Sequence, residues 1–350
     1  MSEDKQQKRN IPELRFPEFS GEWEEKKLGD LGEYLKSYPF SRAKEGKGKY
    51  KHIHYGDIHT KLSGKIDSSE SLPSIMQGSE FTVVEKGDIV FADASEDYAD
   101  LGKAVMINFS DDNVIAGLHT HLFRPIKYLA PDFLVYSTNT EKYRKHITKE
   151  GNGISVLGIS KTNLSKFKVL LPSFKEQQKI GDFFSKLDRL IELEEKKLAL
   201  LEEQKKGYMQ KIFSQELRFK DDNGNEYPKW SIKKIEDISK VNKGFTPNTK
   251  NDEYWNGEEQ NWLSIAGMTE KYLYKGNKGI TEKGALKHAK VEKNTLIMSF
   301  KLTLGKLAIV KKPIYTNEAI CHFEWKNNNI DTEYMYYYLT SINIKTFGAQ

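Results

Sequence analysis

The feature that most constrains the fold of this sequence is an internal repeat, because a repeated segment fixes the architecture before any single motif is weighed. Glu-Leu-Arg-Phe at 13–16 recurs at 216–219, and a tryptophan follows each copy, at Trp23 and Trp230. Further matches keep the same order: Val-Glu-Lys at 84–86 and 291–293, apolar runs at 87–91 and 294–298, Leu-Gly-Lys at 101–103 and 304–306, and Asp132-Phe133-Leu134 against Glu333-Tyr334-Met335. Ordered matches with small spacing changes predict two copies of one fold with loops of different length.

Each copy has the pattern of a mixed domain. The apolar runs at 87–91 and 294–298 are typical of buried strands, as are 105–107 and 308–310. Asp132 and Glu333 each open a short helical pattern. Short strands bounded by glycine, with one or two helices, favour the α/β (α+β) class with a largely irregular sheet.

A long heptad pattern lies between the copies. Pro172 prevents an earlier helix, and Ser173 with Glu176 forms a capping-box pattern, so the helix is predicted to begin there and reach Phe213. At about 1.5 Å per residue it would be roughly 58 Å long. The seam follows alternating steps of four and three, with Glu194 and Lys205 as its two polar exceptions. Its apolar members are Ile180, Phe184, Leu187, Ile191, Leu198, Leu201, Tyr208 and Ile212.

A seam of this length exposes a large apolar stripe unless another helix covers it. The alternative is a core helix packed on its own domains, which the length disfavours. We therefore expect a coiled-coil partner, supplied by sequence beyond Gln350 or by another polypeptide. The predicted organisation of the 350 residues is a first domain at 1–172, a central coiled-coil spacer helix at 173–214 and a second domain at 215–350.

Composition argues against membrane and secreted classes. The chain is 37% hydrophobic and 30% charged, and its N-terminal segment MSEDKQQKRN lacks the apolar core of a signal peptide. The sequence contains no run of about 18 apolar residues, the length needed for a membrane span. The single cysteine, Cys321, permits no internal disulfide and no cysteine-based zinc site. We expect a cytoplasmic protein without a membrane partner.

Common catalytic and metal-binding motifs are incomplete in this sequence. Gly102-Lys103 and Gly305-Lys306 lack the upstream glycine and following hydroxyl of a phosphate-binding loop, and no Asn-Pro-Pro-aromatic segment suited to amino-methyl transfer appears. The best metal candidates are His52, His54, His59, His119 and His121, because two histidines flanking one strand residue point to the same face. Strand histidines are more often surface residues or nucleic-acid contacts, so no metal is expected.

The order of segments resembles the specificity subunits of type I restriction-modification systems. Three stretches carry the resemblance: the helix start LPSFKEQQKI at 171–180, the heptad run ending at 208–213, and GFTPNTKNDEYWNGEEQNWLSI at 244–265, which is similar to the opening of a target-recognition domain. Only the first ten residues lie outside it. Members usually carry a second helix after the second domain, and this sequence ends at Phe347-Gly348-Ala349-Gln350, where that helix would be approaching.

The resemblance implies that each domain reads one half of a split double-stranded DNA target in the major groove. Paired central helices would set the spacing and hold the modification subunits, of which two are expected, and the restriction subunits would join through the complex. Methylation and cleavage would belong to those partners. The chain itself would then be non-catalytic and carry no cofactor, with S-adenosylmethionine, ATP and magnesium bound by the partners. The alternative is a single-chain nuclease with an unrecognised active site.

Positive charge concentrates in two loops, although the net charge is only +5. Residues 36–51 hold six Lys or Arg against one Glu, and residues 271–293 hold seven Lys against two Glu. Phosphate neutralisation is the functional interpretation, and ordinary solvated loops are the alternative. The basic candidates for DNA contact are Lys36, Arg42, Lys44, Lys47, Lys49, Lys103, Lys243, Lys271, Lys301 and Lys306. The candidates for base readout are His52, His54, Tyr55 and Asp57 in the first copy, and Thr246, Asn248, Trp262 and Ser264 in the second.

Overall fold

The computed structural model describes residues 10–62, 64–76, 80–111, 113–342 and 344. Its contacts divide the chain into two compact units, 1–195 and 196–350. The boundary falls inside a long helix, so each unit includes one part of that helix.

The first unit consists of short strands and mostly short helices. Its strands are β1 (Glu24–Lys27), β2 (Gly32–Leu35), β3 (Lys51–Ile53), β4 (Lys65–Ile66), β5 (Ile89–Ala92), β6 (Ala94–Ser95), β7 (Ala104–Ile107), β8 (Val114–Ala116), β9 (Thr120–Pro125), β10 (Asn152–Gly153), β11 (Leu157–Gly158) and β12 (Lys168–Leu171). Its helices are α1 (Tyr55–Thr60), α2 (Pro131–Ser137), α3 (Glu141–Glu150), α4 (Lys161–Ser165) and the beginning of α5 (Phe174–Phe213), with 3-10 turns at Leu28–Asp30 and Arg42–Lys44.

The second unit repeats this plan after the end of α5. Its strands are β13 (Ser239–Lys243), β14 (Trp262–Leu263), β15 (Tyr272–Leu273), β16 (Leu296–Ser299), β17 (Leu307–Val310), β18 (Tyr315–Thr316) and β19 (Ile320–Trp325). Its helices are α6 (Ile235–Ile238), α7 (Glu282–Ala285) and α8 (Thr332–Ser341), with 3-10 turns at Asp252–Tyr254 and Ile265–Gly267.

The two main sheets share one topology. Their strand orders are β2-β9-β5-β7-β4 and β13-β19-β16-β17-β15, each antiparallel except for a parallel last pair, and each unit also has a small parallel pair, β3-β8 or β14-β18. Register agrees as well: Ile89 lies opposite Phe123, as Leu296 lies opposite Phe323. The predicted repeat and the mixed α/β class are confirmed.

The central strands of each main sheet are buried on both faces, which explains the wholly apolar composition of β5, β7 and β17. In β5, Ile89 and Phe91 join one core while Val90 and Ala92 join the other. In β16, Leu296 and Ile297 likewise belong to two different cores, one on each face of the sheet. The helices that follow, α2 and α8, supply buried residues to these cores, as the matched motifs at 132–134 and 333–335 predict.

The repeated Leu-Gly-Lys motif is a backbone requirement. Gly102 and Gly305 adopt φ of +69° and +84°, in the left-handed region that residues with a side chain rarely enter. Each glycine turns the chain into the next strand, β7 or β17. The motif therefore marks a structural turn, as the absence of a full phosphate-binding pattern suggests.

Helix α5 spans 40 residues, close to the predicted limits, and is about 60 Å long at roughly 1.5 Å per residue. Ser173 Oγ accepts from the backbone N–H of Glu176 at 3.4 Å. The carboxylate of Glu176 binds Arg15 and Trp23, so the predicted reciprocal half of the capping box is replaced by tertiary contacts.

Most of the heptad seam is exposed. The exposed fraction ranges from 39% at Leu187 to 59% at Leu198, and only Ile180 and Ile212 at the two ends are half-buried. Phe184 is partly covered by Tyr136 of the first unit, with ring centroids 5.1 Å apart. The coiled-coil partner thus stays a prediction, and the seam is available to one. Within the described residues no helix has both the length and the apolar character needed to cross a bilayer.

Candidate nucleic-acid interface

A connected group of polar side chains in the first unit surrounds Arg42. Its Nη1 donates to Glu45 Oε1 at 2.8 Å and its Nη2 donates to Asp57 Oδ1 at 2.9 Å. The turn Arg42–Lys44 supplies the arginine, and the first turn of α1 supplies Asp57. The arginine side chain is 41% exposed, whereas that of Asp57 is 4% exposed. We call Arg42, Glu45, His52, His54 and Asp57 the Arg42 cluster.

Both histidines of the cluster are buried and bonded to the protein. Nε2 of His52 lies 3.2 Å from Glu45 Oε1 and donates to it, and the backbone N–H of Gly56 donates to Nδ1 of His54 at 3.1 Å. Burial, followed by the positive charge of Arg42, lowers the pKa of His54 to about 4. Burial also lowers the pKa of His52, against the opposing effect of Glu45. Both rings are therefore neutral near pH 7.

The two rings lie near each other, with centroids 5.9 Å apart, but only His52 belongs to a strand. Strand β3 ends at Ile53, and His54 is the N-cap of α1. Strand β3 lies between β8 on one side and residues 73–74 on the other, where the His52 backbone N–H donates to the Pro73 carbonyl. His52, His54 and Asp57 therefore contact other protein groups in this structure. As direct DNA contacts they stay predictions.

Two buried polar atoms of this cluster lack a partner within the described part of the chain, as does a third on the neighbouring helix α1. Asp57 Oδ2, His52 Nδ1 and His59 Nε2 are buried without a hydrogen-bond partner among the described residues. Nearby, His119 has a left-handed φ of +54° and packs edge-on against Tyr55 at 5.3 Å. Strained backbone and unpaired buried polar groups are typical of functional sites. They single out this surface as the candidate site of the first unit.

The remaining histidines do not form a metal centre. His121 Nε2 donates to the Ile159 carbonyl at 2.8 Å, and His119 Nδ1 lies 3.2 Å from Asp93 Oδ1. In the part of the chain that the structure describes, no set of His, Cys, Asp and Glu side chains is arranged to hold a metal ion.

Lysines flank the Arg42 cluster. Lys44, Lys47 and Lys49 are exposed and make no ion pair with any described residue. Lys49 lies over the ring of Tyr50 at 5.4 Å, and Lys36 over that of Tyr38 at 5.2 Å. These side chains present unneutralised charge to solvent. Lys103 differs, because Asp100 lies 2.5 Å from its Nζ and offsets its charge.

Most of the side chains predicted to contact bases in the second unit form hydrogen bonds within the protein. Trp262 is 3% exposed, and its indole N–H donates to the Phe245 carbonyl at 3.0 Å. Thr246 accepts from Asn317 Nδ2 at 2.8 Å, and Ser264 Oγ accepts from Asn277 Nδ2 at 2.8 Å. These positions stay predictions as DNA contacts.

Exposure distinguishes the other candidates of this unit. Asn248, Lys243 and Lys301 are exposed, and Lys306 is half-buried beside the turn at Gly305. Asn248 shapes its own loop, because its carbonyl accepts from the indole N–H of Trp255 at 3.2 Å.

Lys271 is committed to a local network. It forms an ion pair with Glu333, and its Nζ lies 4.1 Å from the ring centroid of Tyr337. Burial acts to lower the pKa of Lys271, but the hydrogen bonds to Glu333 and Tyr337 outweigh burial and raise it. Its charge is therefore offset within the protein, although it lies in a lysine-rich loop.

Sequence reasoning missed the carboxylate anchors. Glu45 counted only as the single acidic residue of a basic loop, yet it holds both Arg42 and His52. Its position three residues after Arg42, within one turn, was the available signal. The link from Arg15 to Glu176 had no such local signal, because 161 residues separate its ends.

Similarity to known proteins bears on these surfaces. The family model described as the type I restriction modification DNA specificity domain matches residues 20–203 and 227–349. The first match covers most of the first unit and continues along α5, and the second match lies within the second unit.

The chain belongs to this family.

Two specificity subunits are similar in sequence to this chain, one over most of its length and one over a shorter part. The MjaVIII specificity subunit of Methanocaldococcus jannaschii is 24% identical over 347 residues, which cover 94% of this chain and 76% of that protein. The MjaIX specificity subunit of the same organism is 35% identical over 132 residues, but there the match spans only 36% of this chain and 30% of that protein.

Solved structures agree in fold. The S subunit of a type I restriction-modification system from M. genitalium aligns over 97% of this chain and 80% of its own, with a TM-score of 0.53 at 14% identity. The prediction of a type I specificity subunit is confirmed, and nothing supports the single-chain nuclease alternative.

Proposed function

We propose that each unit of this specificity subunit reads one half of a bipartite double-stranded DNA target in the major groove. The observation that carries the proposal is the repeated sheet, β2-β9-β5-β7-β4 and β13-β19-β16-β17-β15. Two copies of one fold on one chain support two separate half-sites. The loops that differ between the copies supply different readers, so the halves differ in sequence.

Chemistry is assigned to partner subunits. Both carboxylates of the Arg42 cluster bind Arg42, and Glu45 also binds His52, which suits a rigid reading surface better than a reacting centre. Methylation and cleavage, with S-adenosylmethionine, ATP and magnesium, belong to modification and restriction subunits of the complex. This chain is then a non-catalytic guide, acting in the cytoplasm.

Helix α5 is the proposed dock and spacer. Beside the heptad seam it carries a second exposed apolar stripe, at Phe183, Leu190, Leu193 and Leu200. Two stripes on one helix support two kinds of partner: a helix that pairs along the seam, and the modification subunits, expected as two. In the first unit the helix also borders a groove of about 1330 Å³ lined by Trp23, Phe133, Tyr136 and Ile191.

A methylation assay tests the proposal. Purified chain, modification subunits and their mixture are each incubated with duplex DNA and S-adenosylmethionine, and methylated positions are mapped. We expect methylation only in the mixture, at a target of two short specified halves around an unspecified gap. Methylation or cleavage by the chain alone, or a single uninterrupted target, would contradict the proposal.

A further inference from the structure

We infer that Arg42 is the residue of the first unit that reads a guanine in the major groove, with Glu45 and Asp57 as the positioning residues that aim its guanidinium. The inference rests on the proposed function, because it names one reader within the half-site of the first unit. It separates Arg42 from the lysines of the same loop, which contact phosphates.

Geometry supports the first step. A guanidinium has five N–H groups in a planar fork. The two carboxylates approach different nitrogens, Glu45 at Nη1 and Asp57 at Nη2, so one N–H of each is engaged while the others remain for a ligand. Two anchors from separate elements fix the plane of the fork, which a single ion pair would leave free to rotate. The side chain nevertheless stays 41% exposed, so its free edge is accessible.

The anchors are themselves held in place. Glu45 also accepts from the fully buried ring of His52, and Lys61 lies 3.3 Å from Asp57 Oδ1. The guanidinium of Arg42 is therefore backed by Asp57 and by the Glu45–His52 pair, in which Asp57 and His52 are buried and Glu45 is partly exposed. Such support is what a reading side chain needs, because a base pair is discriminated only if the donor geometry is fixed before binding.

Charge decides between a base and a phosphate. The carboxylates of Glu45 and Asp57 offset the charge of Arg42, and this weakens its attraction for a phosphate. The donor directions needed for the O6 and N7 acceptors of guanine are unaffected. Lys44, Lys47 and Lys49 show the opposite combination, being exposed and without an ion pair among the described residues. A loop that offers both kinds of cation can position the backbone and read a base.

The experiment compares wild type with Arg42→Lys, which keeps the charge and loses the fork. The full chain with its modification subunits selects duplexes from a randomised pool, and the selected half-sites are sequenced. We expect Arg42→Lys to lose guanine preference at one position of one half-site, by about 5- to 150-fold. The other half-site and the salt dependence of binding should be unchanged. Asp57→Asn should relax the same position, and 7-deazaguanine there should weaken wild type only.

Lys47→Ala is the matched control, and we expect it to weaken all sequences alike and to lower the salt slope by about one. The inference is overturned if Arg42→Lys keeps every preference, or if it behaves like the control. A wild type that selects no bipartite sequence would overturn the proposed function and this inference together. Thermal unfolding of each variant shows whether a loss of preference reflects a loss of folding.

Discussion

Arg15 grips the carboxylate of Glu176 with two nitrogens, Nε and Nη2, each donating across 2.7 Å. Trp23 adds its indole N–H at 3.3 Å, and the Glu176 side chain is only 1% exposed. The contact joins the segment before β1 to the first turn of α5. Side chains thereby fix the helix start to the first unit, in addition to the backbone pairing of β12 with β1 just before it.

We expect Glu176→Gln to destabilise the first unit by about 3 kcal/mol, because it removes one partner of a buried ion pair and leaves Arg15 without its counter-charge. Urea unfolding followed by tryptophan fluorescence measures it. Glu18→Gln is the control, since the pair of Glu18 with Lys179 is exposed to solvent, which screens it, so its loss should have little effect. Equal effects of the two substitutions would show that the buried pair has no special role.

Exchange of one unit tests modular reading. Replacing residues 215–350 with the second recognition domain of another family member should change one half of the methylated target and leave the other half intact. The physical reason is that each core cluster draws its residues from one unit. Mapping methylated sites in cells decides it. A change in both halves, or in neither, would refute independent reading.

Charge removal tests the loop that flanks the Arg42 cluster. Lys44, Lys47 and Lys49 changed together to Ala should weaken binding to every sequence and lower the salt slope by about one unit for each phosphate that is no longer neutralised. Binding is measured at several salt concentrations on specific and random duplexes. Lys145→Ala is the control, because Lys145 is exposed but paired with Glu141 on α3. An unchanged slope would make these lysines ordinary solvated residues.

Much of this organisation is predictable from the sequence, and the exceptions have physical reasons. The repeat, the glycine turns and α5 follow from local patterns of apolar spacing and backbone freedom. Burial of His52 and Trp262 does not, because it depends on neighbours distant in the chain, at Pro73 and Phe245. The sequence around a polar or aromatic residue on a short strand is the same whether solvent or another segment of the chain covers its side chain.

Acid should destabilise the second unit through His322. Its Nε2 lies 2.5 Å from Thr316 Oγ1, and burial lowers its pKa to about 4 from an ordinary value of 6.5. Between these values the unfolded state binds a proton that the folded state does not, so stability is present above about pH 6.5 and falls towards pH 4. For one such group, the free energy of unfolding falls by about 2 kcal/mol as the pH drops by two units through this range.

The first unit supplies the matched variant, because Leu122 and Ala116 occupy the equivalent register positions. His322→Leu with Thr316→Ala should therefore flatten the acid dependence, while Thr316→Ala alone should keep it. Urea midpoints at pH 7 and pH 4.5 measure both. An acid dependence unchanged in the double variant would assign it to other groups.

Helix length should set the gap between half-sites. One heptad inserted after Glu194 keeps the apolar seam in register and lengthens the helix by about 10.5 Å, which matches up to roughly three base pairs at about 3.4 Å each. The half-site sequences should not change. A four-residue insertion lengthens the helix less but breaks the seam, so it should cost stability as well. Mapping of methylated sites measures the gap for both insertion variants. If the heptad variant is active and its gap is unchanged, α5 is a scaffold for partners and does not set the spacing.

The exposed seam from Phe184 to Tyr208 also bears on how much of this protein accumulates in the cell. A chain released from the ribosome before its helical partner arrives presents an uncovered apolar surface, which invites aggregation and capture by proteases. Pairing of the seam with a partner helix would remove that surface. We therefore expect the partner's abundance to limit how much of this chain accumulates.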